Sequence, residues 1–234
     1  MSALRCYTNW YKRPSDSQEQ IEPYKKYFFI CEGENTEVWY FRRIIDRKKQ
    51  LGIHPLIDVR LMERTGEDES SSHPDKLLEF AKKEIKNPDN AFDTRHDQMV
   101  VVFDLDIFKR KGPEEYQRIL EDGNKFILAV TNPCFELFLL LHFPNVLVDW
   151  IFPKEQLLLE NKRVSNHKRY IDDVFTKVCG MNSKTNCAVG ELADNLLIAI
   201  EQEQEVNQDI SLARDRLTSN VGSILQMIRE DSAT

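Results

Sequence analysis

Acidic side chains follow a short apolar segment near the start of the chain, and their spacing suits metal binding. Residues 27–31 are apolar enough for a buried strand, and Glu32, Glu34 and Glu37 come directly after them. Apolar residues then recur at helical spacing, which predicts a helix over about 36–50. In open α/β sheets, ligands bind at the carboxyl ends of the strands. Carboxylates gathered there repel one another unless a cation neutralises them, and Mg²⁺ prefers oxygen ligands.

A second pair of acids ends another apolar segment. Residues 99–103, Met-Val-Val-Val-Phe, predict a buried strand, and Asp104 and Asp106 follow it. Because side chains alternate along a strand, the two carboxylates point the same way if the extended conformation continues. Both would then face the acids of the first strand at the same edge of the sheet.

A third acid lies in a segment that is otherwise almost wholly apolar. Residues 126–130 predict a strand, and residues 131–143 continue as Thr-Asn-Pro-Cys-Phe-Glu-Leu-Phe-Leu-Leu-Leu-His-Phe. Asn132 is expected to cap a buried helix that begins at Pro133. Glu136 is the acid of this helix and needs a partner, because burying an unpaired charge is costly. Three strand-to-helix junctions thus carry acids, a pattern that favours a metal-dependent phosphoryl-transfer site.

Basic residues could supply the complementary charge. Lys168 and His167 lie in a polar segment between predicted C-terminal helices. A lysine there could neutralise a phosphate or protonate a leaving group, and the alternative is an ordinary surface lysine. The basic run at 109–111 follows the second pair of acids and favours phosphate contact there. His142 is expected to be a hydrogen-bonded core residue.

The overall composition excludes several classes of protein. The chain has 234 residues and a net charge of -7, which argues against a protein that coats nucleic acid non-specifically. No apolar run approaches the roughly 18 residues of a transmembrane helix, and the polar N-terminus is not a signal peptide. The five cysteines have no CxxC spacing, which indicates reduced thiols in a cytoplasmic protein rather than a zinc site. The chain contains no Walker motif, GxGxxG motif or nucleophile elbow.

Strand and helix patterns alternate over the first part of the chain. Strands are predicted at about 25–32, 56–62, 98–104 and 125–130, and helices at about 36–50, 75–86 and 113–121. This alternation predicts an α/β fold with a largely parallel sheet flanked by helices. After Phe143 the strands are expected to stop, and the predicted helices are at about 153–160, 167–178, 187–204 and 216–229. We therefore expect a flexible arm at 1–22, a core at 23–150 and a helical C-terminal extension at 151–234.

The three acidic segments together resemble a known family. Cys-Glu-Gly-Glu-Asn-Thr-Glu at 31–37, Phe-Asp-Leu-Asp at 103–106 and the segment at 131–143 are similar to the RloB-like family, which includes the abortive-infection protein AbiLii. The resemblance covers about residues 24–230. It implies a Toprim-like Rossmannoid fold, as found in topoisomerases, primases and the OLD-type nucleases. In Toprim domains, a Glu after the first strand and a DxD pair after a later strand bind Mg²⁺.

This resemblance also assigns roles to the acids. Glu32 corresponds to the first Toprim acid, and Asp104 and Asp106 correspond to the DxD pair. Glu37 is similar to a second acid of the OLD-type nucleases, although it stands one residue further along the chain. The resemblance therefore implies five ligands or catalytic acids for Mg²⁺ or Mn²⁺, the fifth being Glu136 in the family's own motif.

The function implied by the resemblance is that of a metal-dependent endonuclease, the toxic effector of an anti-phage system. Lys168 would take the place of the lysine that OLD-type nucleases use. A related Toprim effector cleaves tRNA, so RNA, and tRNA in particular, is favoured over DNA as the substrate. Genes for ABC- or SMC-like ATPases often adjoin those of the family, which implies such a partner, and a homodimer is also expected. The alternatives are a non-catalytic scaffold that binds the ATPase and a primase-type nucleotidyl transferase, for which the expected further domains are missing.

Overall fold

The fold is built on a mostly parallel β-sheet. The computed structural model describes residues 24–62, 73–166 and 168–231, so the expected arm at 1–22 and His167 lie outside the described residues. The described strands are β1 (Lys25–Cys31), β2 (Ile57–Leu61), β3 (Gln98–Asp104), β4 (Ile127–Asn132), β5 (Arg163–Ser165), β6 (Lys168–Arg169) and β7 (Thr218–Ser219). One sheet has the order β2-β1-β3-β4-β7, in which β1 to β4 are parallel and β7 is antiparallel to β4. Strands β5 and β6 form a separate antiparallel hairpin.

Helices cover both faces of this sheet. The described α-helices are α1 (Thr36–Asp46), α2 (Pro74–Ile85), α3 (Pro113–Asp122), α4 (Glu136–Leu140), α5 (Glu155–Glu160), α6 (Tyr170–Cys179), α7 (Leu196–Glu203) and α8 (Val221–Glu230). Short 3-10 helices follow β3 and precede α7, at Asp106–Arg110 and Cys187–Asn195. Pro74 and Pro113 stand at the first positions of α2 and α3, where a missing N–H leaves no hydrogen bond unmade. The predicted α/β class, with helices in the C-terminal part, is confirmed. No helix in the described ranges is long and apolar enough to cross a bilayer.

The sheet buries apolar side chains on both faces. Along β1, Tyr27 and Phe29 point into one core with α1, α4 and the C-terminal helices, whereas Phe28 and Ile30 point into a second core with α2 and α3. Burial on both sides explains why β1 and β3 are continuous apolar runs rather than alternating ones. The rigid, doubly covered sheet fixes the strand ends that carry the acids.

The expected cap at Asn132 was wrong. Asn132 is the last residue of β4, and the following helix α4 begins only at Glu136. The Asn132 side-chain amide instead donates to the carbonyl oxygens of Ala213 at 2.6 Å and Arg216 at 2.9 Å. The amide therefore ties the end of β4 to a distant C-terminal segment, and this tertiary contact overrides the local capping preference.

The expectation that strands stop after Phe143 was also wrong. Thr218 and Ser219 form β7 inside the predicted helix of 216–229, so that α8 begins at Val221. Both residues are fully buried against β4. Pairing satisfies the N–H and C=O groups at the edge of β4, which explains why two residues leave the helical pattern. Similarly, the first half of the predicted helix 187–204 is a 3-10 helix.

Candidate metal centre

A cleft of about 440 Å³ opens at the carboxyl ends of β1, β3 and β4. Because β1 and β3 are parallel neighbours, their ends meet at the same edge of the sheet. The helix that follows β4 adds a third segment to this edge. The structure thus brings together all five acids expected to bind metal, and the cleft is lined by Glu32, Glu37, Asp104, Asp106 and Glu136.

Glu32 and Asp104 lie side by side at the floor of the cleft. The Asp104 backbone N–H donates to Glu32 Oε2 at 2.9 Å, and the Thr131 hydroxyl donates to Asp104 Oδ1 at 2.6 Å. These two bonds link β1, β3 and β4 through the acids themselves. Burial, and then the charges of Glu32 and Glu37, raise the pKa of the Asp104 carboxyl well above its usual value.

Glu37 enters the cleft from the first turn of α1 and packs against the loop before it. Its side chain is buried, and burial together with the charge of Glu136 raises the pKa of Glu37 to about 7. A Cβ atom on Gly33 would lie 2.7 Å from Glu37 Cδ, so a side chain at position 33 would displace this carboxylate. Glu34 in the same loop is exposed.

Glu136, the first residue of α4, has the hydrogen-bond partner that its burial requires. The Ser183 hydroxyl donates to Glu136 Oε1 at 2.7 Å. Ser183 is held in turn from the other side, because the Thr36 hydroxyl donates to its carbonyl oxygen at 3.1 Å. The sequence indicated that a partner was needed, but not that it comes from a loop 47 residues further along the chain.

Asp106 reaches the cleft by a different route from the one expected. Leu105 has helical dihedral angles, φ -86° and ψ -7°, so the extended conformation does not continue from Asp104. Asp106 instead begins a 3-10 helix. Its Oδ2 atom forms an ion pair with Arg169 Nη1 at 2.5 Å. The expected alternation of Asp104 and Asp106 was wrong, yet both side chains line the cleft.

The cations at the cleft differ from the one that the sequence singled out. Lys168 donates to the Thr176 hydroxyl at 3.2 Å and is not among the residues that line the cleft. Within the described residues, the cleft cations are Arg169 and Lys184. Arg169 is the direct neighbour of Lys168 in a basic run, which was a usable signal. Lys184 lies in a loop without periodicity, so the sequence offered no signal for it.

Lys184 is placed between two acids. Its Nζ atom lies 3.1 Å from Asp172 Oδ1 on α6, which also lines the cleft. Burial alone would lower the pKa of Lys184, but the charges of Glu136 and Asp172 raise it above its usual value. The ammonium group therefore stays charged beside the acids.

The chemistry of these donors fits a hard divalent cation. The lining of the cleft includes the carboxylates of the five acids that the sequence singled out, and oxygen is the ligand atom that Mg²⁺ and Mn²⁺ prefer. Within the described residues, no three of these acids bring ligand atoms within 4.8 Å of one another.

A tighter cluster outside the cleft is already neutralised by cations. The ligand atoms of His73, Asp75 and Glu115 lie within 4.8 Å of one another. However, Lys111 Nζ lies 2.6 Å from Glu115 Oε1, and Arg118 Nη2 lies 3.0 Å from Asp75 Oδ2. The pair between Arg118 and Asp75 ties α3 to α2, and the pair between Lys111 and Glu115 ties α3 to the segment before it, so the cluster is a structural one.

Comparison with known proteins identifies one related family. A family model described as "RloB-like protein" matches residues 27–228. The match extends from β1 into α8 and includes every acid of the cleft. Searches of curated proteins and of solved structures returned no match.

Proposed function

The chain belongs to the RloB-like family, and from this premise we propose that it is a metal-dependent nuclease that hydrolyses phosphodiester bonds. The observation that carries the proposal is the convergence of five carboxylates from three chain segments in one cleft. The two cations beside them, Arg169 and Lys184, suit a substrate with phosphate groups. When bound there, Mg²⁺ or Mn²⁺ supplies an activated water and stabilises the leaving oxygen.

The acids of the cleft have two proposed roles, as metal ligands and as the base. Glu32, Asp104 and Asp106 would hold the metal. The ends of β1 and β3 position Glu32 and Asp104, and the 3-10 helix after β3 positions Asp106. Glu37 and Glu136 complete the site as further ligands or as the base that accepts a proton from water. The Asp106 side chain is 22% exposed, so the cleft is accessible to solvent at this residue.

For the substrate and the biological role we follow the family resemblance. RNA, and tRNA in particular, is the first candidate substrate, and DNA is the second. The activity is that of a Toprim-type toxic effector in anti-phage defence, controlled by an ABC- or SMC-like ATPase partner. Self-association as a homodimer through the C-terminal helices is part of the same proposal.

The test is cleavage of total cellular RNA and of plasmid DNA, side by side, by the purified protein with Mg²⁺ or Mn²⁺. We expect one polymer to be cleaved by the wild type and neither to be cleaved by Glu32→Ala or Asp104→Ala. Glu121→Gln, an exposed acid on α3, is the matched control and should cleave like the wild type. Equal cleavage by the wild type and both alanine variants would contradict the proposal.

A second candidate is a non-catalytic scaffold that binds the ATPase partner. The observation that favours it is the ion pair between Asp106 and Arg169, because a protein cation there already neutralises one expected metal ligand. In such a scaffold the cleft would bind no divalent cation, and Glu32→Ala would leave toxicity in cells unchanged. Metal binding therefore separates the two candidates.

A further inference from the structure

The ion pair between Arg169 and Asp106 lies at the mouth of the cleft rather than in its floor. The Arg169 side chain is 40% exposed and the Asp106 side chain is 22% exposed, whereas Glu136 is buried. Arg169 is the last residue of the β5–β6 hairpin and Asp106 opens the 3-10 helix after β3. The guanidinium group can therefore leave Asp106 without opening the core.

The hairpin that carries Arg169 is basic. Arg169 is the cross-strand partner of Arg163, and Lys168 precedes it. Lys162, at the base of the hairpin, pairs with Glu160 at 2.7 Å. Among the described residues, Arg163 and Lys168 have no ion-pair partner. In a protein of net charge -7, this hairpin is a local positive surface directly beside the acidic cleft.

We propose that Arg169 exchanges partners during substrate binding: it neutralises Asp106 in the metal-free protein and binds a phosphate of the nucleic acid once a metal ion has taken Asp106. This inference rests on the proposed nuclease function. The guanidinium group suits both partners, because its planar N–H fork matches carboxylate and phosphate oxygens alike. Arg163 and Lys168 extend the phosphate-binding surface along the hairpin.

The exchange couples metal binding to nucleic-acid binding. Arg169 competes with the metal for Asp106, so removing the side chain should tighten metal binding. The same change removes a phosphate contact, so nucleic-acid binding should weaken. If the ion pair were purely structural, removing Arg169 would not tighten metal binding while weakening nucleic-acid binding. If only the loss of a positive charge mattered, the same change at Arg163 would have equal effects.

The experiment compares Arg169→Gln with Arg163→Gln, which removes the same charge from the facing residue of the hairpin. Mn²⁺ affinity is measured by calorimetric titration. Affinity for a short fluorescent single-stranded RNA is measured with Ca²⁺ replacing Mg²⁺, and the RNA is checked for integrity afterwards. We expect Arg169→Gln to bind Mn²⁺ about 1.5-fold to fivefold more tightly than the wild type, the range that a partly exposed ion pair implies. Arg163→Gln should bind Mn²⁺ like the wild type.

For RNA we expect both variants to bind more weakly than the wild type. The slope of log affinity against log salt should fall by about 0.7 for each lost phosphate contact. Arg169→Lys, which keeps the charge, should retain Mn²⁺ affinity close to that of the wild type. Unchanged or weaker Mn²⁺ binding by Arg169→Gln, or equal tightening in Arg163→Gln, would overturn the exchange while leaving the nuclease proposal intact. Failure of the wild type and Arg169→Gln to bind Mn²⁺ would overturn both.

Discussion

At the scale of single residues, the loop between β1 and α1 shows how closely the acidic site is packed. Gly33 lies against the carboxylate of Glu37, and a Cβ atom there would collide with Glu37 Oε2. The obstructing atoms are the far end of a flexible side chain, so the fold can tolerate a methyl group if Glu37 moves. Position 33 therefore controls the placement of an expected metal ligand without being one.

We predict that Gly33→Ala folds but loses activity. Displacement of Glu37 by an ångström or more should lower the cleavage rate on the order of tenfold to a hundredfold. Gly112→Ala is the matched control, since its Cβ meets the end of Glu114 on the exposed side of α3. Cleavage rates and melting temperatures of both variants are compared with the wild type. Full activity in Gly33→Ala would show that the position of Glu37 is unimportant.

A second residue-scale prediction concerns His142, which is fully buried as the sequence predicted. Its Nε2 atom lies 3.0 Å from the Tyr40 hydroxyl, and its Nδ1 atom faces the carbonyl oxygen of Phe138 at 3.1 Å. Burial lowers the pKa of His142 from 6.5 to about 4. The unfolded chain therefore binds a proton between these values while the folded protein does not, so stability falls as the pH drops from 6.5 towards 4.

Between about pH 7 and about pH 5, His142 should reduce the free energy of unfolding by roughly 2 kcal/mol. Urea denaturation at both pH values, with His142→Gln as the reference that lacks this proton site, measures the difference. The imidazole can also be titrated directly by NMR in the wild type. Protonation of the folded His142 near pH 6.5 would contradict the prediction.

At the scale of elements, one buried carboxylate joins α7 to α8. Glu203 is fully buried, and Oε1 accepts from the Ser219 hydroxyl at 2.5 Å and from the Gly222 N–H at 2.9 Å. Its Oε2 accepts from the Ser223 N–H at 2.6 Å. The charge therefore lies at the N-terminus of α8, where the helix dipole and free N–H groups stabilise an anion.

We predict that Glu203→Gln destabilises the protein by about 2 kcal/mol, because one acceptor oxygen becomes an NH₂ group that faces backbone donors. Glu201→Gln, an exposed residue on the same helix, should change stability by less than about 0.5 kcal/mol. Urea denaturation of the two variants gives both values. Equal stabilities of the two variants would contradict the assigned role of Glu203.

The elements also show which parts of the fold could be predicted from the sequence. Strands β1 and β3 were predictable because each is a continuous apolar run that ends in acids. Strand β7 was not, because two residues carry no periodicity and pair only after the chain has returned to β4. The predicted helix cap at Asn132 was wrong for the same reason, because the carbonyl groups that its amide binds lie 81 and 84 residues further along the chain.

At the scale of the whole molecule, the candidate site likewise has residues that could be predicted from the sequence and residues that could not. Glu32 and Asp104 could be predicted because strand ends fix them locally. Ser183 and Lys184 come to Glu136 and the cleft only when the C-terminal part folds over the sheet, and no local pattern indicates this. The acids and the basic run that contains Arg169 could therefore be found in the sequence, whereas Ser183 and Lys184 could be found only in the structure.

The clustering of acids in the cleft also lowers the stability of the metal-free protein. Asp104 lies near Glu32 and Glu37, and among the described residues it has no ion-pair partner, so its charge destabilises the metal-free fold. In EDTA, Asp104→Asn should therefore be more stable than the wild type, on the order of 1 kcal/mol or a few degrees in melting temperature. Added Mn²⁺ should raise the melting temperature of the wild type more than that of the variant.

Thermal denaturation with and without Mn²⁺ measures this difference. Asp215→Asn, an exposed acid far along the chain, is the reference for the loss of one charge. If Asp104→Asn were less stable than the wild type in EDTA, the Asp104 carboxylate would stabilise the metal-free fold, and the prediction would be wrong.

The central claim is that the five acids form a divalent-metal site, and calorimetric titration with Mn²⁺ tests it most directly. We predict saturable binding by the wild type, at least tenfold weaker binding by Glu32→Gln and Asp104→Asn, and wild-type binding by Glu121→Gln. Absence of saturable binding to the wild type, or equal affinities in all four proteins, would contradict the metal site and favour the scaffold.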